Sequence, residues 1–135
     1  MRLKDKSQNG YAVFWINGRS FFMTIDMLNA YGANTNEGLQ RCMNNEGFYL
    51  RMVKMLVDDG NFQRLYDAVG AGDLSAAFEA AHALKGSAGN LALTPIFAPV
   101  SEITELLRAR TETDYAPLVE AIRDAHERLR DICAE

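Results

Sequence analysis

An all-α fold, an antiparallel four-helix bundle, is what this sequence predicts, and three observations carry the prediction. Apolar residues recur every three or four positions in several stretches from residue 34 onward, no stretch alternates convincingly with period two, and cap or turn residues stand between the stretches. With 135 residues, 48% of them hydrophobic, the chain is one domain long and can bury a core without staples.

The elements follow in order. Residues 1–22 stand apart: Arg2, Lys4, Lys6 and Arg19 outnumber Asp5 for a net +3, while the remainder carries −7. The six apolar residues Tyr11 to Ile16 are fewer than the roughly 7–15 of a secretory signal. The expectation is a flexible N-terminal extension over residues 1–22 and a folded domain over 23–135. After Tyr31-Gly32-Ala33, Asn34 with Glu37 resembles a capping box and opens a short helix toward Met43, which Asn44-Asn45 breaks. Phe48, Tyr49, Met52, Val53 and Leu56 recur at helical spacing, then Asp58 to Asn61 intervene before Phe62, Leu65, Tyr66 and Val69; two helices or one kinked helix fit equally. Gly72 stops that segment and Asp73 caps the next.

The Asp73 helix runs to about Leu93, with Leu74, Ala77, Ala81, Leu84, Ala88 and Leu91 inside one arc of about 100°. Thr94-Pro95 reads as a cap and first-turn pair for a helix striped by Ile96, Val100, Ile103 and Leu107. Pro99 is awkward there, because an interior proline removes a hydrogen bond at a cost of about 3 kcal/mol, so either the helix starts nearer Pro99 or its first turn is distorted. Asp114 caps a last helix carrying Leu118, Val119, Ile122, Leu129 and Ile132 on one side.

Composition narrows the function classes. Fourteen basic against 18 acidic residues leave a formal charge of −4, the wrong sign for a phosphate-backbone binder, so no nucleic-acid partner is expected. No run approaches about 18 apolar residues, so no membrane span is expected either. Cys42 and Cys133 are not in a C-x-x-C pair and read as core or boundary thiols of a cytoplasmic protein, with a disulfide between them left open. The two histidines lie far apart in sequence and no metal site is expected.

The chemistry concentrates on His82. It lies outside the apolar arc of its helix, with Lys85 and Gly86 three and four positions on and Gly89 two turns along the same ridge. Two glycines in a helix interior each cost about 1 kcal/mol relative to alanine, and the gain that offsets this is clearance for another protein. A neutral imidazole is a nucleophile near pH 7, and a lysine one turn away offers charge to phosphoryl oxygens. The bland reading is a surface histidine beside a solvated lysine. His126, beside the apolar stripe of the last helix without a glycine platform, reads as structural or surface, and the six methionines read as core filling.

The run His82-Ala83-Leu84-Lys85-Gly86-Ser87-Ala88-Gly89-Asn90-Leu91 resembles the signature of histidine-containing phosphotransfer (HPt) domains, H-x-L-K-G followed by a small residue, Asn, an aliphatic residue and Gly. The resemblance covers roughly Met23 to the C-terminus and departs at Ala92, where the family often has glycine. It implies the four-helix bundle with an additional short N-terminal helix across one end. It also implies that His82 is the phospho-acceptor, that Lys85 stabilises phosphoryl charge, and that Gly86 leaves room for the group. Gly89 is expected to add clearance, and Phe78, Glu79, Ser101 and Thr104 to line a partner surface. Some relatives place Glu, Gln or His on the following helix to orient the imidazole; Ser101 and Thr104 fall near that spacing here, and Glu79 could substitute. The function so implied is a phosphorelay carrier working between receiver-domain aspartates, with a hybrid histidine kinase as a further partner. Mg²⁺ would come from the receiver, the chain would hold no cofactor and have no kinase activity of its own, and a monomer is expected. Two rivals are a degenerate helical adaptor that binds a receiver without being phosphorylated, and a hydrolase using His82 as base, for which no partner stands at convincing spacing.

Overall fold

The computed structural model describes residues 2–6, 11–16 and 19–133, with side chains from Met23 onward. Seven helices among these residues form the expected helical bundle, and three strands precede them. The strands β1 (Arg2–Lys6), β2 (Tyr11–Ile16) and β3 (Arg19–Thr24) make an antiparallel meander in the order β1-β2-β3. Residues 1–22, expected as a flexible extension, include these paired strands, and the expected start of the folded domain at Met23 falls inside β3. A signal for the strands is present in the sequence, since Tyr11 to Ile16 is rich in aromatic and β-branched residues.

Helix α1 (Ile25–Tyr31) starts where the Thr24 hydroxyl accepts a hydrogen bond from the Met27 amide and ends at Gly32, whose φ of 112° only glycine adopts easily. Helix α2 (Thr35–Arg41) is capped by Asn34, which accepts from the Glu37 amide, and α3 (Glu46–Val57) by Asn45, which accepts from Phe48. Asp58-Asp59-Gly60 separates α3 from α4 (Asn61–Ala71), so the alternatives left open by the sequence resolve as two helices. Asp73 caps α5 (Leu74–Asn90) as expected. Helix α6 (Thr94–Arg108) begins at its expected cap, one residue early: Leu93 is the N-cap, Thr94 lies inside the first turn, and Pro99 is accommodated within the helix. Asp114 accepts from the Ala116 amide at the start of α7 (Ala116–Cys133).

Helix α5 packs against α4 on one side and α6 on the other, α6 packs against α7, and α7 returns to α3. Alanines make the close approach of α5 possible: Ala77, Ala80, Ala81 and Ala88 are buried together with Leu84. Leu50, Leu65, Ile96, Ile103, Leu107, Ile122 and Leu129 fill the remainder of the core, each completely buried, and burial of such a side chain contributes about 1.5–3 kcal/mol. The two cysteines are free and buried, so no disulfide joins them; burial pushes the Cys133 thiol up to about 12. The stem of α1 is tied to α7 by the Tyr31 hydroxyl, which donates to the Ala125 carbonyl at 2.7 Å.

The end of α5 receives the most attention from its neighbours. A helix C-terminus leaves carbonyls without intrahelical donors. Here Arg41 of α2 donates to the Gly89 carbonyl, Tyr49 of α3 donates to that of Leu91 at 2.9 Å, and the Asn34 amide donates to that of Ala92 at 2.9 Å. The short N-terminal helices therefore fasten the C-terminal end of the helix that carries His82.

Candidate functional site

His82 stands midway along α5 on its exposed side, with Glu79, Ala83, Gly86, Ser87 and Asn90 exposed around it. A shallow open depression is lined by these residues and by Phe78. The expectation that His82 points away from the core is met, because the residues at the adjoining helical positions, Ala81 and Leu84, take the buried face. Its ring stacks on Phe78, one turn earlier, with centroids 5.4 Å apart and planes 24° from parallel. Among the described residues no group hydrogen-bonds either ring nitrogen, so the edge of the imidazole is open.

Phe78 is half-buried and carries two guanidinium groups, Arg108 at 4.9 Å and Arg110 at 5.6 Å from its ring centroid. Lys85 lies one turn beyond His82, but its ammonium turns toward α6 and meets the Glu105 carboxylate at 3.4 Å. Glu105 also receives Arg108, with Nε 3.4 Å from Oε1. Arg108 first, and Lys85 after it, hold the Glu105 carboxyl below the usual carboxylate range. A loop of contacts thus runs from His82 through Phe78, Arg108 and Glu105 to Lys85.

Gly86 and Gly89, paired in the sequence reading, separate in the structure. A methyl group at Gly86 would meet nothing within 4 Å, so that position leaves open space beside the imidazole. A methyl at Gly89 would lie 2.9 Å from Cε1 of Phe97, so Gly89 is corrected from surface clearance to helix packing. The physical reason is drift: seven residues are slightly less than two full turns, which rotates Gly89 by about 20° toward Lys85 and hence toward α6.

One partner-surface expectation also changes. Thr104 is completely buried and its hydroxyl donates to the Val100 carbonyl at 2.6 Å within its own helix, so it reaches neither His82 nor a partner. Ser101 is half-buried, without a hydrogen bond to His82, while Glu79 is exposed on the same face as the histidine and makes no bond to it. The residues of α6 that do come to the site are Glu105 and Arg108, with Arg110 just past its end. An i,i+3 acid and base on one helix was a visible signal, but nothing in the sequence joined that pair to a lysine 20 residues earlier.

His126 is buried, as one of the expectations for it holds. Its Nε2 lies 2.8 Å from the Val57 carbonyl, which can only accept, so the proton sits on Nε2; the ring stacks on Phe62 at 3.7 Å. Burial lowers its pKa below the ordinary imidazole value, against the hydrogen bond to Val57. Among the described residues no group of three or more His, Cys, Asp or Glu side chains is placed to hold a metal ion, and no helix is long and apolar enough to cross a membrane.

An alanine-lined helix within a helical bundle, presenting an open imidazole one turn from an ammonium and beside a bare glycine, defines a class of small proteins built around one displayed histidine. The chain belongs to the Hpt domain family: the model of that domain matches residues 52–132, more than half of the sequence, from the middle of α3 nearly to the end of α7. Hpt domains serve phosphotransfer in phosphorelay signalling as phosphoryl carriers rather than kinases, and they interact with receiver domains and histidine kinases. No curated protein and no solved structure was found to match the chain.

Proposed function

We propose that this protein relays a phosphoryl group between receiver-domain aspartates through phospho-His82. The observation that carries the reading is the exposed, unbonded edge of His82, with Lys85 one turn away and open space at Gly86. In the loading step the lone pair of one ring nitrogen forms an N–P bond as the acyl phosphate O–P bond of a receiver phospho-aspartate breaks, and the aspartate leaves as a free carboxylate. The other ring nitrogen holds its proton through the step and exchanges it with solvent afterwards. Unloading onto a second receiver runs the same exchange backwards.

Lys85 neutralises phosphoryl oxygens as charge gathers on them, and charge stabilisation with positioning is most of what phosphoryl transfer requires. Mg²⁺ belongs to the receiver's carboxylates in this reading, and Phe78, Glu79 and Gly86 lie where an approaching receiver must touch. The interface is transient and modest in area, because the domain has to release one partner before meeting the next. The protein works as a cytoplasmic monomer, and a hybrid histidine kinase can supply the donor receiver.

The test is incubation with a phosphorylated receiver domain and Mg²⁺, followed by assay of acid-labile label. The intact protein should take label, and His82→Gln none, with its helical content and melting unchanged because the side chain is exposed. Equal labelling of His82→Gln overturns the assignment. A protein that binds receivers but takes label from no donor is instead the adaptor.

A further inference from the structure

Lys85 and His82 share a helix face, yet the Lys85 ammonium is held by Glu105 of α6 rather than left at the imidazole edge. Resting on the phosphocarrier reading above, we propose that Glu105 is a positioning residue that stores Lys85 in the unphosphorylated protein and hands it to the phosphoryl group when His82 is loaded.

Three features support the hand-over. First, the pair is loose and open: 3.4 Å between Nζ and Oε2, with Glu105 more than half exposed and Lys85 about one-third exposed, so a dianionic phosphoryl group competes for the ammonium on favourable terms. Second, Glu105 does not lose its only cation when Lys85 leaves, because Arg108 stays within 3.4 Å of its other carboxylate oxygen. Third, Arg108 also lies over Phe78, the ring on which His82 stacks, so the carboxylate is anchored to the same assembly that holds the imidazole. A lysine side chain keeps several rotatable bonds, so the exchange needs no movement of α5 or α6. Without Glu105 the ammonium would be free to serve the phosphoryl group at once. With it, loading includes the breaking of an ion pair, and the unloaded state is favoured by that pair's strength.

The experiment uses a small phosphoramidate donor, which loads histidine without a protein partner, on the whole protein, Glu105→Gln, Lys85→Ala and the double variant. Exposed pairs of this kind are weak, so Glu105→Gln should raise the loading equilibrium by about two- to fivefold. The gain should vanish in the Lys85→Ala background, since no ammonium then remains to be released. A merely structural role for Glu105 would move the melting temperature and not this interaction between the two substitutions. An unchanged loading equilibrium in Glu105→Gln, or the same gain with and without Lys85, overturns the hand-over while leaving the carrier function standing. No label on the folded intact protein with phosphoramidate or with any phosphorylated receiver overturns both.

Discussion

Ala92 shows how much a single residue can depart from its family and still keep the local geometry. Its φ is 55°, in the left-handed region, and it closes α5 by a pair of bonds in which the Leu93 amide donates to Ala88 and the Ala92 amide to Gly89. This is the Schellman arrangement, whose left-handed position favours glycine because an L side chain is strained there. The extra methyl at the end of the signature therefore acts on the helix end. Ala92→Gly should raise unfolding free energy by about 1 kcal/mol, read as a higher urea midpoint at unchanged slope, and should leave phosphotransfer untouched. A lower midpoint would mean that the methyl packs better than it strains. His82 was legible at this same scale, because its exposure follows from its angle on the helix and needs no knowledge of neighbours.

Within α5, the two glycines test whether helix position alone assigns a role. Gly86 sees open space and Gly89 sees Phe97 of α6. Gly86→Ala should stabilise the fold by up to about 1 kcal/mol through helix propensity, yet slow transfer from a receiver domain because the added methyl narrows the approach to His82. Gly89→Ala gains the same propensity but must displace the Phe97 ring, so it should melt below Gly86→Ala. Melting curves of the two variants side by side check this, and coincident curves would put both glycines on the same open surface. The expected shared role came from spacing on a single helix. Only the position of α6 separates them, and the same is true of Thr104, whose inward turn brings Glu105 to the site instead.

For the whole molecule, His126 joins three helices, since it reaches from α7 to bond Val57 at the end of α3 and to stack on Phe62 in the first turn of α4. Its folded-state pKa is lowered, mainly by burial, with Arg130 lowering it further and Glu127 and Asp58 opposing. The unfolded chain therefore binds this proton more readily than the folded one. The stability that goes with the neutral ring is fully present above about pH 6.5, the unfolded value, and is lost as pH falls below it toward the folded value. Chemical denaturation at stepped pH should show that decline, and His126→Gln should flatten it near its upper edge. An unaltered decline in the variant would assign the pH dependence to carboxylates. The N-terminal meander belongs to this scale as well: β1 and β2 lie beside α3, and β3 beside α1 and α7.

From the sequence alone came the helical class, the caps at Asn34 and Asp73, the apolar stripe of α5 and the exposure of His82. All of these rest on interactions within about one or two turns, which residue spacing specifies. Tertiary structure decided what spacing cannot reach: the capture of Lys85 by Glu105, the packing role of Gly89, the burial of Thr104, and the anchoring of the α5 carbonyls by Arg41, Tyr49 and Asn34. Each of these depends on which elements meet and at what angle, a property of the packed whole that no single segment encodes.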